Sequence, residues 1–244
     1  MYFDQLLETY NSLRVMNVDW QIEDYEVVKT VHQFRLDWKP AKVSTLLLAE
    51  SHVFTNKQSF EKLFWDPVTN EHRNYVNFFY CLAYGERRIV NSEYGGSPQF
   101  WKLFNVLDGN NYSVLKKDNK QYEHRINHKK LLLQSLKEKG VWLLDASIIG
   151  IYANRDKPEK NSYKAILKTS FSGFCIKIIE DLQPQNIVII GKSVYDVVSN
   201  DISTNHPGIS TKWIYQPNYR GHGSKKQDKI NDVLPIFTRP IEKE

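Results

Sequence analysis

The chain is poor in the residues that staple or anchor proteins. It has 244 residues and only two cysteines, Cys81 and Cys175. Two cannot supply a four-cysteine zinc or iron–sulfur site, and no C-x-x-C occurs. Free Cys is usually a buried small hydrophobe, so both are expected in the core of a protein of the reducing cytoplasm. No apolar run approaches the ~20 residues needed to cross a bilayer. The N-terminus, M-Y-F-D-Q-L-L-E-T-Y, carries acids and no basic leader, so no signal peptide is expected. The nucleotide fingerprints are missing too. There is no G-x-G-x-x-G, and Gly191-Lys192-Ser193 resembles the tail of a Walker A loop without its upstream glycine. There is no G-x-S-x-G, so Ser51-His52 makes a poor hydrolase elbow.

What is present is a recurring pattern. The run Val43–Ala49 ends in Glu50-Ser51-His52, and Val141–Leu144 ends in Asp145. Ile187–Ile190 ends in Gly191-Lys192-Ser193, and Trp213–Tyr215 in Gln216-Pro217-Asn218. Continuous apolar runs read as buried parallel strands. Ligands of open α/β sheets collect at the carboxyl ends of such strands. Four strands over 43–49, 141–145, 187–190 and 211–215 would therefore place their polar ends around one cleft.

Periodicity and breakers supply the rest. Helices are expected over 2–13, 21–35, 75–84, from Ser97-Pro98 onward, 125–139, 160–182, 193–199 and 224–236, with 109–124 a polar loop. Strands alternating with helices imply a three-layer α/β/α domain around a four-stranded parallel sheet. One domain is expected over 1–244, with N-terminal helices to residue 38 and a core over 39–238. Hydrophobic content of 41% and charged content of 25% fit an ordinary globular protein.

Charge is unevenly placed. Residues 116–139 hold eight Lys/Arg against three acids, so this segment carries the whole net charge of +5 and the rest is balanced. A basic segment on a neutral body suits a polyanion such as DNA, and equally a solvated helix with a basic face. His124 and His128 are four apart on the same helix. With no third ligand in view they read as exposed histidines, and no metal or cofactor is expected.

The order of the strand-end motifs resembles the uracil-DNA glycosylase superfamily. The counterparts are Ala49-Glu50-Ser51-His52, then Gly140-Val141-Trp142-Leu143-Leu144-Asp145, then Gln216-Pro217-Asn218-Tyr219-Arg220. Ser97-Pro98-Gln99-Phe100-Trp101 and Ile189-Ile190-Gly191-Lys192 add to it, so the similarity spans about 38–236. The resemblance implies a monomeric, metal-independent enzyme that flips a base from DNA and hydrolyses its glycosidic bond. Where the family has its water-activating Asp or Asn, this chain has Ser51. Where the family has a proline it has His52, and the family's late histidine is Gln216. The chemistry then passes to neighbours or is lost.

Glu50 is the candidate to orient water and stabilise an oxocarbenium-like sugar. His52 or Asp145 is the candidate to assist departure of the base. A cap or ion pair for Glu50, and a structural role for His52, are the plain alternatives. The family reads uracil with Asn in the slot of Asp145. An ionised Asp only accepts hydrogen bonds, and so suits the N4 amine of cytosine. Asp145-Ala146-Ser147 also fits a helix N-cap. Val53 replaces a tyrosine that in the family blocks the base's 5-position. Together these imply a 5-modified cytosine as substrate, with a role in defence against phage carrying such DNA.

Ser51, Val53, Phe54, Phe79, Gln216 and Asn218 complete the expected base pocket, with Phe78 as another stacking candidate. Lys192, Tyr219, Arg220, His222 and Lys225 are the expected DNA contacts, with Lys226 beside them. The aromatics serve equally as core, and each lysine as ordinary surface. Two other readings stay open: a repair glycosylase for uracil or other deaminated bases, and a catalytically inactive DNA-binding module.

Overall fold

The computed structural model describes residues 1–16, 20–86, 89, 97–153, 156, 158–221 and 223–238. The strands are β1 (Thr45–Ala49), β2 (Leu63–Asp66), β3 (Glu71–Asn74), β4 (Val141–Asp145), β5 (Asn186–Ile190) and β6 (Ser210–Ile214). The helices are α1 (Phe3–Val15), α2 (Tyr25–Asp37), α3 (Lys57–Phe60), α4 (Ser97–Asp108), α5 (Tyr122–Glu138), α6 (Lys160–Ser170), α7 (Ile176–Leu182), α8 (Lys192–Asn205) and α9 (Gly223–Thr238). A π-helical turn, Phe171–Cys175, joins α6 to α7, so the long helix expected over 160–182 carries a local widening.

The central sheet has the order β4-β1-β5-β6, and every pairing is parallel. Helices flank it, an arrangement compatible with three layers. The strands form where apolar residues run without a break. All five residues of β1 and of β4 are buried: β1 lies between two strands, and the edge strand β4 is covered by α2 and α5. The helices contribute apolar stripes: Leu6, Tyr10 and Leu13 from α1, and Val27, Val28, Val31 and Phe34 from α2. Both cysteines are buried free thiols, and burial pushes each up to about 12.

Register sets the positions of the strand ends. Ala49 lies opposite Asp145, Leu48 opposite Ile189, and Ile190 opposite Ile214. Pairing then runs past the strands, because Ala146 N donates to Ala49 O at 2.8 Å and Ser147 N to Glu50 O at 2.9 Å. Glu50, Ala146 and Gly191 therefore stand at one level along one edge. From β1 the chain next joins the sheet on one side, at β4; from β5 it continues on the other, at β6. That reversal creates a crevice between the ends of β1 and β5, where open α/β sheets bind ligands.

The connection after β1 overturns one expectation and adds one element. Residues 75–84 form turns rather than a helix. Their aromatic side chains, Tyr75 and Phe78–Tyr80 among them, are drawn into the core instead of onto one helical stripe. An antiparallel hairpin, β2–β3, precedes them, with Leu63 opposite Asn74 and Asp66 opposite Glu71.

The basic segment is also largely spent inside the fold. Arg125 and Lys129 are buried on Glu86, and burial holds Lys129 below the usual lysine range despite that partner. Lys130 donates to Pro67 O, Lys137 to Asp37 O, and Lys139 to Asp108. A helix whose cations face its own chain is a poor polyanion surface.

Candidate active site at the strand ends

Two polar constellations sit at the carboxyl ends of β1 and β4. The first is closed. Asp145 ends β4 and is paired with Arg35 of α2, Nη2 to Oδ2 at 2.5 Å, with side chains 1% and 2% exposed. His52 Nε2 donates to Glu23 Oε2 at 2.7 Å, and His52 Nδ1 faces Asp145 Oδ2 at 3.8 Å. Glu23 also accepts from Thr55 N at 2.5 Å and from Gly150 N at 2.8 Å. One carboxylate thus fastens the loop after β1 to the loop after β4. The loops touch directly: a Cβ on Gly150 would lie 2.5 Å from Phe54 N, so only glycine fits.

The four groups alternate in sign: Glu23, His52, Asp145, Arg35. Burial alone would lower the His52 pKa, but the Glu23 and Asp145 carboxylates outweigh it and raise it to about 9. Burial works against ionised Asp145 as well, and Arg35 and His52 nonetheless hold it below the usual carboxylate range. Three buried donor sites, Arg35 Nε and Nη1 and His52 Nδ1, have no hydrogen-bond partner among the described residues.

The second constellation is held by neutral donors. Glu50 lies one residue past β1 and is 7% exposed. The Tyr163 hydroxyl, from α6, donates to Glu50 Oε1, and Gln216 Nε2 donates to Oε2 at 3.1 Å. Burial, then the Glu50 carboxylate, raises the Tyr163 and Tyr152 pKa values, so both phenols keep their protons. Gln216 follows β6 and must cross the end of β5 to reach Glu50. Gly191 lets it pass. Its φ is +115°, and a Cβ there would stand 3.1 Å from Gln216 Cγ. Ser51 is adjacent, its Oγ accepting from Ile151 N at 3.2 Å.

The structure thus brings Glu50, Ser51 and Gln216 together, as the strand-end pattern implied. It places His52 and Asp145 beneath them, enclosed by their own partners. Asp145 is therefore neither a helix N-cap nor in contact with the opening, because Arg35 occupies its carboxylate. Val53 and Phe54 are half-buried, tied to Asn77 by the bonds Val53 N to Asn77 O and Asn77 Nδ2 to Phe54 O. Phe79 is no stacking platform, since it packs on Phe104 at 4.0 Å and Trp101 at 4.3 Å within the core. Phe78 is core too, with the Arg35 guanidinium 4.9 Å above its ring.

Asn218, Tyr219 and Arg220 on the outer loop and Lys225 in the first turn of α9 are exposed. Lys192 pairs with Asp196. Lys226 donates to Pro217 O at 2.6 Å, bracing the loop. His222 lies outside the described residues. His124 and His128 do not meet on a metal; His128 Nδ1 accepts from Ser113 N at 2.9 Å. Among the described residues no group of three His, Cys, Asp or Glu could hold a metal ion, and no helix is long and apolar enough to cross a membrane.

Sequence reasoning missed Glu23, Arg35, Tyr152 and Tyr163. Arg35 carried one signal, a charge on the otherwise apolar stripe of α2. Tyr163 sits on an amphipathic helix, where an aromatic reads as core. Comparison with known proteins adds no relative: no protein-family model matches the chain, and no curated protein matches it.

Proposed function

We propose that the chain is a DNA glycosylase of the uracil-DNA glycosylase type, acting on a flipped-out, 5-modified cytosine, with defence against phage carrying such DNA as its setting. The observation that carries this reading is Glu50. It is an acid at the strand-order reversal, and among the described residues its hydrogen-bond partners are neutral donors and no cation pairs with it. Its charge remains available to a developing positive sugar. In the reaction the C1′–N bond breaks and its electrons leave with the base. Glu50 orients water toward C1′ and takes up the proton that water loses. Tyr163 and Gln216 fix the carboxylate during that step.

Base reading passes from Asp145 to Gln216. With Nε2 committed to Glu50, the carboxamide oxygen is the acceptor that remains, and it suits the N4 amine of a cytosine-type base. Asn218 on the same loop provides a second amide. Val53, smaller than the tyrosine of the family it resembles, leaves room at the base's 5-position. His52 and Asp145 act by positioning the two loops.

Mass spectrometry of free bases tests this, using ordinary DNA, uracil-containing DNA and DNA with 5-hydroxymethylated or glucosylated cytosine. Release of the modified cytosine is expected, and Glu50→Gln should cut it by about two to three decades. Preferred release of uracil would replace this reading with deaminated-base repair. No release from any of the three would leave a DNA-binding module, in which Glu50 is held in place by Tyr163 and Gln216 without acting on a sugar.

A further inference from the structure

The edge strand β6 carries a row of rings. Tyr195 of α8 lies 6.0 Å from Trp213, Trp213 lies 4.9 Å from Tyr215, and Tyr215 stacks on Tyr219 at 4.2 Å and 15°. Tyr219, the outermost, is 41% exposed. Cations lie over the same rings. Lys229 stands 4.5 Å from the centre of Trp213, and Lys192 stands 5.8 Å from both Trp213 and Tyr195. Beside Tyr215 a shallow depression of about 330 Å³ is lined by Lys225, Asp228, Lys229 and Asp232. Arg220 follows Tyr219 on the same loop, and Lys226, in the first turn of α9, donates to Pro217 O of that loop. Asp196 pairs with Lys192 and Asp232 with Lys212. Counting Asp228, six cations face three acids, so the surface is positive.

Rings interleaved with lysines are the chemistry that single-stranded nucleic acid requires. The rings stack on unpaired bases, and the cations follow the phosphates. A duplex hides its base faces and cannot use the rings in this way. The row also leads to the cleft, because Gln216 follows Tyr215 directly and reaches Glu50. We propose that the β6 face is a binding track for single-stranded nucleic acid, with Tyr219 as its outer stacking platform. Its direction toward Glu50 rests on the glycosylase reading; its affinity for a strand does not.

Fluorescence anisotropy of the full chain with a labelled oligothymidylate is the test, with the matched duplex and polyglutamate as competitors. The oligomer should bind more tightly than the duplex. Tyr219→Ala, at an exposed position, should weaken it about tenfold, the effect of one lost base stack. Lys225→Ala should reduce the slope of log affinity against log salt by about 0.7, the value for one phosphate contact on a single strand. Equal binding of duplex and single strand, an unchanged affinity in both variants, or equal competition by polyglutamate overturns the track. Oligothymidylate contains no cytosine, so the two readings fail separately. Tight binding without base release from any DNA removes the glycosylase and keeps the track. Base release without single-strand preference does the reverse.

Discussion

Glu50 and Asp145 are two acids at the ends of adjacent strands, and their partners differ in kind. Asp145 meets a guanidinium and an imidazolium, and its charge is consumed within the fold. Glu50 meets a phenol and an amide, which orient a carboxylate without cancelling it. In a low-dielectric setting that distinction separates an acid that holds structure from one that can act on a ligand. The strand-end pattern alone makes both look catalytic. Partner identity tells them apart.

The largest expected effect tests that difference through stability. Asp145→Asn leaves Arg35 and His52 buried without their common counter-charge, and should cost roughly 3–5 kcal/mol. Glu50→Gln should cost under about 1 kcal/mol, because each partner can still make a neutral hydrogen bond. Urea unfolding of the two variants measures both. Equal losses would erase the distinction.

Next comes pH. The folded pKa of His52 is raised to about 9, above its ordinary value of 6.5. The stability it contributes is therefore complete below about pH 6.5 and lost as pH rises through about 9. The total is on the order of 3 kcal/mol. Asp145, held below the usual carboxylate range, contributes in the opposite window: its share is present above its unfolded pKa and lost as acid protonates it in the fold. Unfolding midpoints from pH 6 to 9 should fall for the native chain, and His52→Gln should flatten that alkaline limb.

A smaller effect is expected at Gly191. Gly191→Ala puts a Cβ against Gln216 and strains a φ of +115°, at a cost of about 1–3 kcal/mol. By pushing Gln216 off Glu50 it should also lower base release more than its effect on melting predicts, as a paired melting and turnover measurement would show. Smallest is Tyr163→Phe, which removes one half-buried hydrogen bond worth about 1 kcal/mol. An unfolding midpoint as low as that of Asp145→Asn would mean that the Glu50 constellation is structural too.

Much of the scaffold was legible in the chain. The expected strands over 43–49, 141–145, 187–190 and 211–215 match β1, β4, β5 and β6 to within two residues at each end. Buried parallel strands need unbroken apolar runs, and that need writes itself into local sequence. Residues 75–84 misled because their aromatic density mimics a helical stripe, whereas their rings serve a core built by turns. The hairpin β2–β3 carried a usable signal in Asp66-Pro67-Val68-Thr69-Asn70, a turn-rich stretch between two short extended runs. At the site, Glu50 and Gln216 were visible because strand ends are local features. The partners of His52 and Asp145 were not. Glu23 lies 29 residues before His52, and Arg35 lies 110 before Asp145. No periodicity links residues that meet only after the sheet has formed.

Two of the four charges, Glu23 and Arg35, come from the N-terminal segment; the other two, His52 and Asp145, come from the loop after β1 and the end of β4. The four positions are therefore expected to change together rather than singly. Loss of any one strands a buried charge, whereas a concerted exchange of all four for apolar residues of similar volume removes the conflict. A chain without the first 38 residues would need His52 and Asp145 replaced as well, whereas Glu50, held among the described residues by neutral donors, makes no such demand.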